Sequence, residues 1–439
     1  MNDECRMMKK NKKLMVISFT LMTAFLLVLS MTNCGKKAPE PNVVLIVIDT
    51  LRADHLPFYG YKKNTAPFLS EIAAKSAVFD NTFSVSSWTA SATASIFTSL
   101  YPVQHGVILG YWASRNLRIE FHRIPGEIKT IPEVMKEKGY KTYGTAANVN
   151  ICEKQGFTQG FDKFEQHRYG EKSKLNRQLK KWEKEIKSGG KYFLYIHYND
   201  PHLPYHQRAP WYQKKKGRNE DRMARYDSEI NHVDQKIKEM YELFGWDKNT
   251  LLIIAADHGE EFLEHKGATH ANTLYSEVLR VPFVICFPGK DQVHKRIKTN
   301  VSTIDILPTL KDYLGIKDGE FTQGISLMPY IRGQEKEDNS RYLYPYMRTQ
   351  KNWRRLLRAA VWKDWKYIFS NENEKELYNL KDDPGEKFNL YEKNKKLAGE
   401  LFYRYHEFEK KCKKFQWERK KGTLSSKKIK ELQTLGYVE

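Results

Sequence analysis

The sequence predicts an α/β protein: a large, mostly parallel sheet flanked by helices, then a small carboxy-terminal antiparallel sheet with a helix. Two observations predict the large sheet and a third the small one. Leu251 to Ala256 is an unbroken apolar run, the pattern of a strand buried on both faces, and it stops abruptly at Asp257, His258 and Gly259. The pattern recurs. Val43 to Ile48 runs into Asp49-Thr50-Leu51-Arg52-Ala53-Asp54-His55, and Tyr192 to Ile196 into His197-Tyr198-Asn199-Asp200-Pro201-His202. Past a charged, polar stretch at Arg332 to Ser340, Leu357 to Phe369 alternates and is rich in aromatics, which suits antiparallel strands, and a Lys-rich helix follows Asn389.

Ligands of open α/β sheets sit beyond the carboxyl ends of the strands, so three such endings would bring carboxylates and imidazoles to one rim. For any single residue, a capping Asp or a surface His is the plain alternative. Taken together, Asp and His from separate strands form the donor mixture of a divalent transition metal. Zinc or manganese is favoured, whereas oxygen alone would suit calcium or magnesium.

At the amino end, Arg6, Lys9, Lys10, Lys12 and Lys13 precede an uncharged stretch, Leu14 to Ser30, the layout of a secretory signal over residues 1–33. Met31-Thr32-Asn33-Cys34-Gly35 then resembles the lipobox of bacterial lipoproteins. Cys34 would be lipidated and a short linker, 34–40, would follow; an uncleaved membrane anchor is the alternative. The expected location is the bacterial cell envelope, exported and membrane-anchored. The remainder divides into a catalytic domain, 41–335, and a carboxy-terminal subdomain, 336–439, with a basic helical tail.

Composition narrows the function classes. A chain of 439 residues with 40% hydrophobic residues can bury a large core. Of five cysteines, Cys152, Cys286 and Cys412 lie beyond residue 34, without zinc-site spacing or a disulfide framework. The formal charge is +21, of which residues 1–33 hold five basic and two acidic side chains. The basic residues fall in scattered runs, Lys214 to Lys216 and the tail from Lys410 to Lys430, without a nucleic-acid recognition motif. No nucleic acid is expected as partner; anionic lipid or glycan is. Nothing in the sequence sets an oligomeric state.

Between the strands, Thr65-Ala66-Pro67 opens a helix through Lys75, and Val78 to Phe79 reads as a short strand. Trp88-Thr89-Ala90-Ser91-Ala92-Thr93-Ala94-Ser95 crowds small hydroxyl residues at the start of a helical pattern. A hydroxyl there can cap the helix; alternatively, free amides at a helix N-terminus bind a tetrahedral anion and a hydroxyl beside them can attack it. Lys174 to Lys187 and Ala224 to Phe244 read as outer helices, Val281 to Phe287 as a further buried strand, and Asp305 to Leu314 as a helix closed by Gly315.

These residues carry a resemblance. The stretch Asn42 to His55, the pattern Trp88-Thr89 through Ser95, Thr98, Pro102 and His105, the segment Asp200-Pro201-His202 with Tyr205, and Asp257-His258-Gly259-Glu260 resemble the sulfatase family of the alkaline phosphatase superfamily. Further matches in the same order include His270 with Glu277, Arg280-Val281-Pro282, and Leu435 to Val438, so the resemblance runs from about residue 41 to the end. It implies an alkaline-phosphatase-like sheet, one metal ion held by Asp49, Asp257 and His258, and Thr89 as a metal-bound nucleophile. It also implies that His202 and His270 hold the substrate's anionic group or protonate the leaving oxygen, tasks that suit imidazole.

Departures bear on the substrate. Typical sulfatases carry Cys or Ser, oxidised to formylglycine, followed by x-Pro-Ser-Arg; here Thr89-Ala90-Ser91-Ala92-Thr93 stands instead, and oxidation of Thr gives no aldehyde. The family's Gly-Lys-x-His segment is Gly144-Thr145-Ala146-Ala147-Asn148, and the second Asp of many metal sites is Thr50, which weakens the case for calcium. A metal-bound Thr is the nucleophile of relatives that cleave or transfer phosphoryl groups. Three readings therefore stand: a metal-dependent hydrolase of sulfuric or phosphoric esters of glycan, lipid or small molecule; a phosphoethanolamine or phosphoryl transferase; and a non-catalytic envelope binding protein.

Overall fold

The computed structural model describes residues 40–110, 112–113, 118–167, 174–289, 292–350, 352, 354–412 and 419–423, together with Met7. The body of the molecule is Pro41–Glu439, a unit distinct from Met1–Glu40. Cys34 and the apolar stretch 14–30 lie outside the described residues, among which no helix is long and apolar enough to cross a membrane.

Eight strands among the described residues form the main sheet: β1 (Asn42–Ile48), β2 (Ala77–Phe83), β3 (Lys141–Ala146), β4 (Lys163–Gln166), β5 (Tyr192–Tyr198), β6 (Thr250–Ala256), β7 (Phe283–Cys286) and β8 (Lys295–Ser302). Across the sheet they lie in the order β8-β2-β7-β6-β1-β5-β3-β4. Only β7 runs against its neighbours, pairing antiparallel with both β6 and β2. The other pairings are parallel.

Register decides what reaches the rim. Ile48 lies opposite Ala256 on one side and Tyr198 on the other, so Asp49, Asp257 and Asn199 leave the sheet at the same level. The alternation of β1 feeds two cores: Val43, Leu45 and Val47 join one hydrophobic cluster, and Val44, Ile46 and Ile48 the other. Each such side chain, fully buried, contributes roughly 1.5–3 kcal/mol, which explains the unbroken apolar run.

Helices cover both faces. On one lies α2 (Thr89–Thr98); on the other α1 (Pro67–Ala74), α3 (Lys174–Ser188) and α4 (Arg218–Phe244). Helix α4 begins six residues before the expected Ala224, because Gly217 stands at its N-cap and Glu220 and Asp221 occupy the first turn, where acidic groups suit the dipole. Its polar first turns carry no apolar stripe, which hid them from periodicity.

The carboxy-terminal sheet comprises β9 (Tyr342–Leu343), β10 (Tyr346–Arg348), β11 (Leu356–Trp362), β12 (Trp365–Ser370) and β13 (Lys375–Asn379), all antiparallel, with α5 (Lys395–Lys411) packed against it. Part of the basic tail is itself a strand: Arg419–Thr423 pairs with Arg118–His122. Cys152, Cys286 and Cys412 form no disulfide among the described residues.

Candidate active site

The site starts at the ends of β1 and β6. Asp49, Asp257 and His258 are fully buried, and His197, near the end of β5, joins them. His258 Nε2 lies 3.7 Å from Asp49 Oδ1 and 3.6 Å from Asp257 Oδ2; His197 Nε2 lies 3.7 Å from Asp49 Oδ2 and 4.0 Å from Asp257 Oδ2. The neighbouring backbone holds the carboxylates in place: the amides of Thr50 and His258 donate to Asp257 Oδ1 at 3.3 and 2.9 Å, and Asn148 Nδ2 donates to Asp49 Oδ2 at 2.6 Å. Thr50 makes its turn at a φ of 57°, in the left-handed region. Gly259 must be glycine, since a side chain there would run into the carbonyl oxygen of Glu277.

Two buried carboxylates this close cannot ionise alike. Burial and the charge of Asp49 push the Asp257 carboxyl up; burial would raise Asp49 too, but His202, His197 and His258 hold it well below the usual carboxylate range.

Thr89 is the first residue of α2, and its Oγ1 lies 3.2 Å from His258 Nε2. His258 donates its Nδ1–H to the Gly259 carbonyl at 2.9 Å, so in the neutral ring Nε2 has its lone pair toward the hydroxyl. The residue before it, Trp88, is extended, and the first amide to find an intrahelical partner is that of Ala92, bonded to the Trp88 carbonyl. The amides ahead of it are unspent donors at the same spot. Ser91 Oγ and Thr93 Oγ1 are buried without hydrogen-bond partners.

His202 and His270 complete the chamber. The His270 ring lies 4.5 Å from that of His258 and 4.9 Å from that of His202. His202 donates Nδ1–H to the Leu203 carbonyl at 2.6 Å. Burial pushes its imidazole down to about 4 despite Asp49, and burial together with His258 pushes His270 down to about 3. His270 Nδ1 lies 2.9 Å from Glu260 Oε1, and Tyr205 donates its phenol proton to Glu260 Oε2 at 2.7 Å.

The structure thus brings Asp49, Thr89, His202, Asp257, His258 and His270 together. Other polar residues of the strand ends lie elsewhere: His55 Nδ1 faces Asp227 at 2.7 Å, and Asp200 is paired with Arg208 and Lys236. His105 is buried, with Ser95 on Nε2 and the Val107 amide on Nδ1. The sequence alone does not mark His197, Asn148, Glu260 or Tyr205 as site residues. His197 stands at a strand end and could have been found by that rule; the others act through partners distant in sequence.

The donor set fits a divalent cation. Asp49 Oδ1, Asp257 Oδ2 and His197 Nε2 are buried without hydrogen-bond partners, a state that costs roughly 1–3 kcal/mol per group, more for charged ones. Oxygen and nitrogen ligands lie about 2.0–2.5 Å from an ion, which sets neighbouring donor atoms about 3–3.5 Å apart, slightly inside the gaps measured here. Asp49, His197 and Asp257 together could hold such an ion.

Against this geometry, a family model described as Sulfatase matches residues 41–316. The chain belongs to the sulfatase family. A second model, N-sulphoglucosamine sulphohydrolase, C-terminal, matches residues 264–414. This sulfatase-family chain is 32% identical over 189 residues to a Delta 4,5-hexuronate-2-O-sulfatase of Bacteroides thetaiotaomicron, a match covering 39% of the chain and only 38% of that relative. It is 24% identical over 379 residues to an ulvan-active sulfatase of Formosa agariphila, covering 74% of the chain and 71% of the relative. Among solved structures, a 2-O GAG sulfatase superposes with a TM-score of 0.69 at 21% identity, covering 85% of this chain and 93% of that one. The phosphonate monoester hydrolase of Agrobacterium radiobacter gives 0.66 at 17% identity, covering 84% and 95%. At these identities the structural likeness shows the fold, and sulfatases and a phosphonate hydrolase share it.

Proposed function

We propose that this sulfatase-family member is a metal-dependent hydrolase of sulfuric or phosphoric esters, with an anionic glycan as the favoured substrate class and Thr89 as nucleophile. The observation that carries the reading is the placing of Thr89 Oγ1 at a helix start, 3.2 Å from His258 Nε2 and beside two buried carboxylates, each with one oxygen that has no hydrogen-bond partner. Asp49, Asp257 and His258 would hold the ion, with His197 as a further ligand. The ion supplies a Lewis acid that lowers the cost of charge on an ester oxygen and of deprotonating a hydroxyl.

The chain's own residues do the rest. The free amides at the start of α2 orient the anionic group, because they are donors already fixed in place. Thr89 Oγ1 attacks sulfur or phosphorus as the bond to the leaving oxygen breaks, and the hydroxyl proton passes to that oxygen by way of the bare Nε2 of His202 or His270, which takes it up and gives it on. Water then cleaves the ester formed on Thr89 and restores the hydroxyl. The relatives named for hexuronate and ulvan, together with the basic surface charge, support a glycan. The basic start, the apolar stretch 14–30 and Cys34 support a place in the cell envelope, held by lipid or anchor.

The test compares matched aryl sulfate, phosphate monoester, phosphate diester and phosphonate esters, with manganese, zinc or calcium, in the wild type and in Thr89→Ala. Turnover that needs both the metal and Thr89 is the expected result, and the preferred ester sets the class. Turnover retained by Thr89→Ala removes the nucleophile assignment; the absence of turnover with metal bound removes the hydrolase.

A further inference from the structure

We infer that Glu260, held by Tyr205, is the positioning residue of His270, fixing the imidazole with Nδ1–H bonded to the carboxylate and Nε2 turned to the reacting group. The inference rests on the proposed reading for the part His270 plays in turnover, but the bonded geometry stands on its own.

Glu260 is fully buried, with Tyr205 and His270 as the side-chain partners of its two oxygens. A carboxylate carried into the interior for stability alone is a poor choice, because desolvation offsets what its bonds return. Its partners have a direction: Tyr205 belongs to the loop that carries His202, and His270 sits between the rings of His202 and His258. The phenol can only donate to Oε2, since burial and the Glu260 charge push its pKa well above the ordinary value. Glu260 Oε1 faces His270 Nδ1 at 2.9 Å, and as a carboxylate oxygen it accepts Nδ1–H. Nε2 is left as the nitrogen available to a substrate beside Thr89.

A second observation is independent of this chain of bonds. His270 is flanked by two non-glycine residues in the left-handed region, Thr269 at φ 72° and Ala271 at φ 63°. For a β-branched residue this conformation is a genuine outlier, and such strain persists only where the surroundings enforce it. The enforcing bonds are visible: the Ala271 amide donates to the Ser87 carbonyl at 3.0 Å and its carbonyl accepts from the Gln350 amide at 2.8 Å. The backbone at Ala271 is therefore pinned by Ser87, ahead of Thr89, on one side and by Gln350 of the carboxy-terminal subdomain on the other, while Glu260 sets the ring.

The test is a ring-nitrogen correlation spectrum of the full chain labelled with 15N-histidine, metal-free and zinc-loaded, with Glu260→Leu, Glu260→Gln and Tyr205→Phe. His270 is expected to show Nδ1–H in the wild type and in Glu260→Gln, whose amide oxygen can still accept, and to shift to Nε2–H, the tautomer favoured by a free histidine, in Glu260→Leu. On the preferred ester, kcat of Glu260→Leu is expected to fall about ten- to a hundredfold, part of the usual worth of a positioned acid or base, with KM little changed and Glu260→Gln recovering most of the loss. An Nε2–H signal for His270 in the wild type overturns the inference, as does an unchanged tautomer and kcat in Glu260→Leu. Should Glu260→Leu not fold, loss of Nδ1–H in Glu260→Gln overturns it equally. Failure of the wild type to turn over any ester would count against the proposed function alone, since the spectrum is read without substrate.

Discussion

Two compact clusters of acids and imidazole include residues just past β6, and they behave as opposites. At the rim, Asp49, His197 and Asp257 present oxygen and nitrogen atoms without partners. A few residues on, Glu261, His265 and Glu277 have the same composition and an equally compact arrangement. There, however, His265 has acceptors on both nitrogens: Glu277 Oε1 at 2.6 Å and the Glu386 carbonyl at 3.0 Å. With protons on both nitrogens it is an imidazolium with no lone pair to give a metal. Glu261 is occupied as well, accepting the amides of His265 and Gly267. Residue type and proximity nominate both clusters; only their partners separate a ligand set from an ion pair, Glu277 with His265, whose second ring nitrogen ties this loop to the Glu386 carbonyl of the carboxy-terminal subdomain.

The largest effect that could break this comparison is on metal retention. Asp49→Ala or Asp257→Ala should weaken metal binding at least about a hundredfold, beyond what outer contacts usually cost, whereas Glu277→Gln should leave it unchanged; calorimetric titration with manganese or zinc measures both. Equal losses from the two clusters would erase the distinction.

A second effect, on folding stability, concerns the buried pair that anchors the second cluster. Lys366 Nζ lies 2.6 Å from Glu386 Oε1, both side chains fully buried, and Lys366 also donates to the Leu274 carbonyl. Lys366→Met leaves Glu386 uncompensated and should destabilise the fold by about 3–5 kcal/mol, read from denaturant unfolding, without altering metal affinity in the folded protein.

Partner accounting also marks what could be read in advance. The parallel sheet, and the rim where Asp49, Asp257 and His258 gather, were legible because apolar runs that stop at polar residues recur; one such ending alone carries little, since His55 and Asp200 follow the same strands and pair elsewhere. Thr89 was legible through motif order. Asn148 and Glu260 were not, since the first matters through Asp49, 99 residues away, and the second through Tyr205, 55 residues away. The pairing of Lys366 with Glu386 is equally invisible in a Lys-rich sequence, where most lysines are solvated. His265 illustrates the converse: its composition suggests a ligand, and only the positions of its two acceptors say otherwise.

The smallest expected effect concerns that histidine. Its pKa is raised: burial opposes the charge, but the Glu277 carboxylate more than offsets it. A raised folded pKa means that the stabilisation is complete below the unfolded value of 6.5 and is lost as pH rises through the folded value. Melting temperature should therefore decline on going from pH 6 upward, with a slope of at most about 1.4 kcal/mol per pH unit from this group, and His265→Gln should flatten that decline. An unchanged slope would show that His265 is not the charged partner described.

The most direct test of the central claim is peptide mass analysis of the metal-loaded protein after acid quench during turnover of its preferred ester. The transferred sulfuryl or phosphoryl group is expected on Thr89, with no adduct in Thr89→Ala. Turnover without an adduct on Thr89, or an adduct on Ser91 or Thr93 that survives in Thr89→Ala, would contradict it.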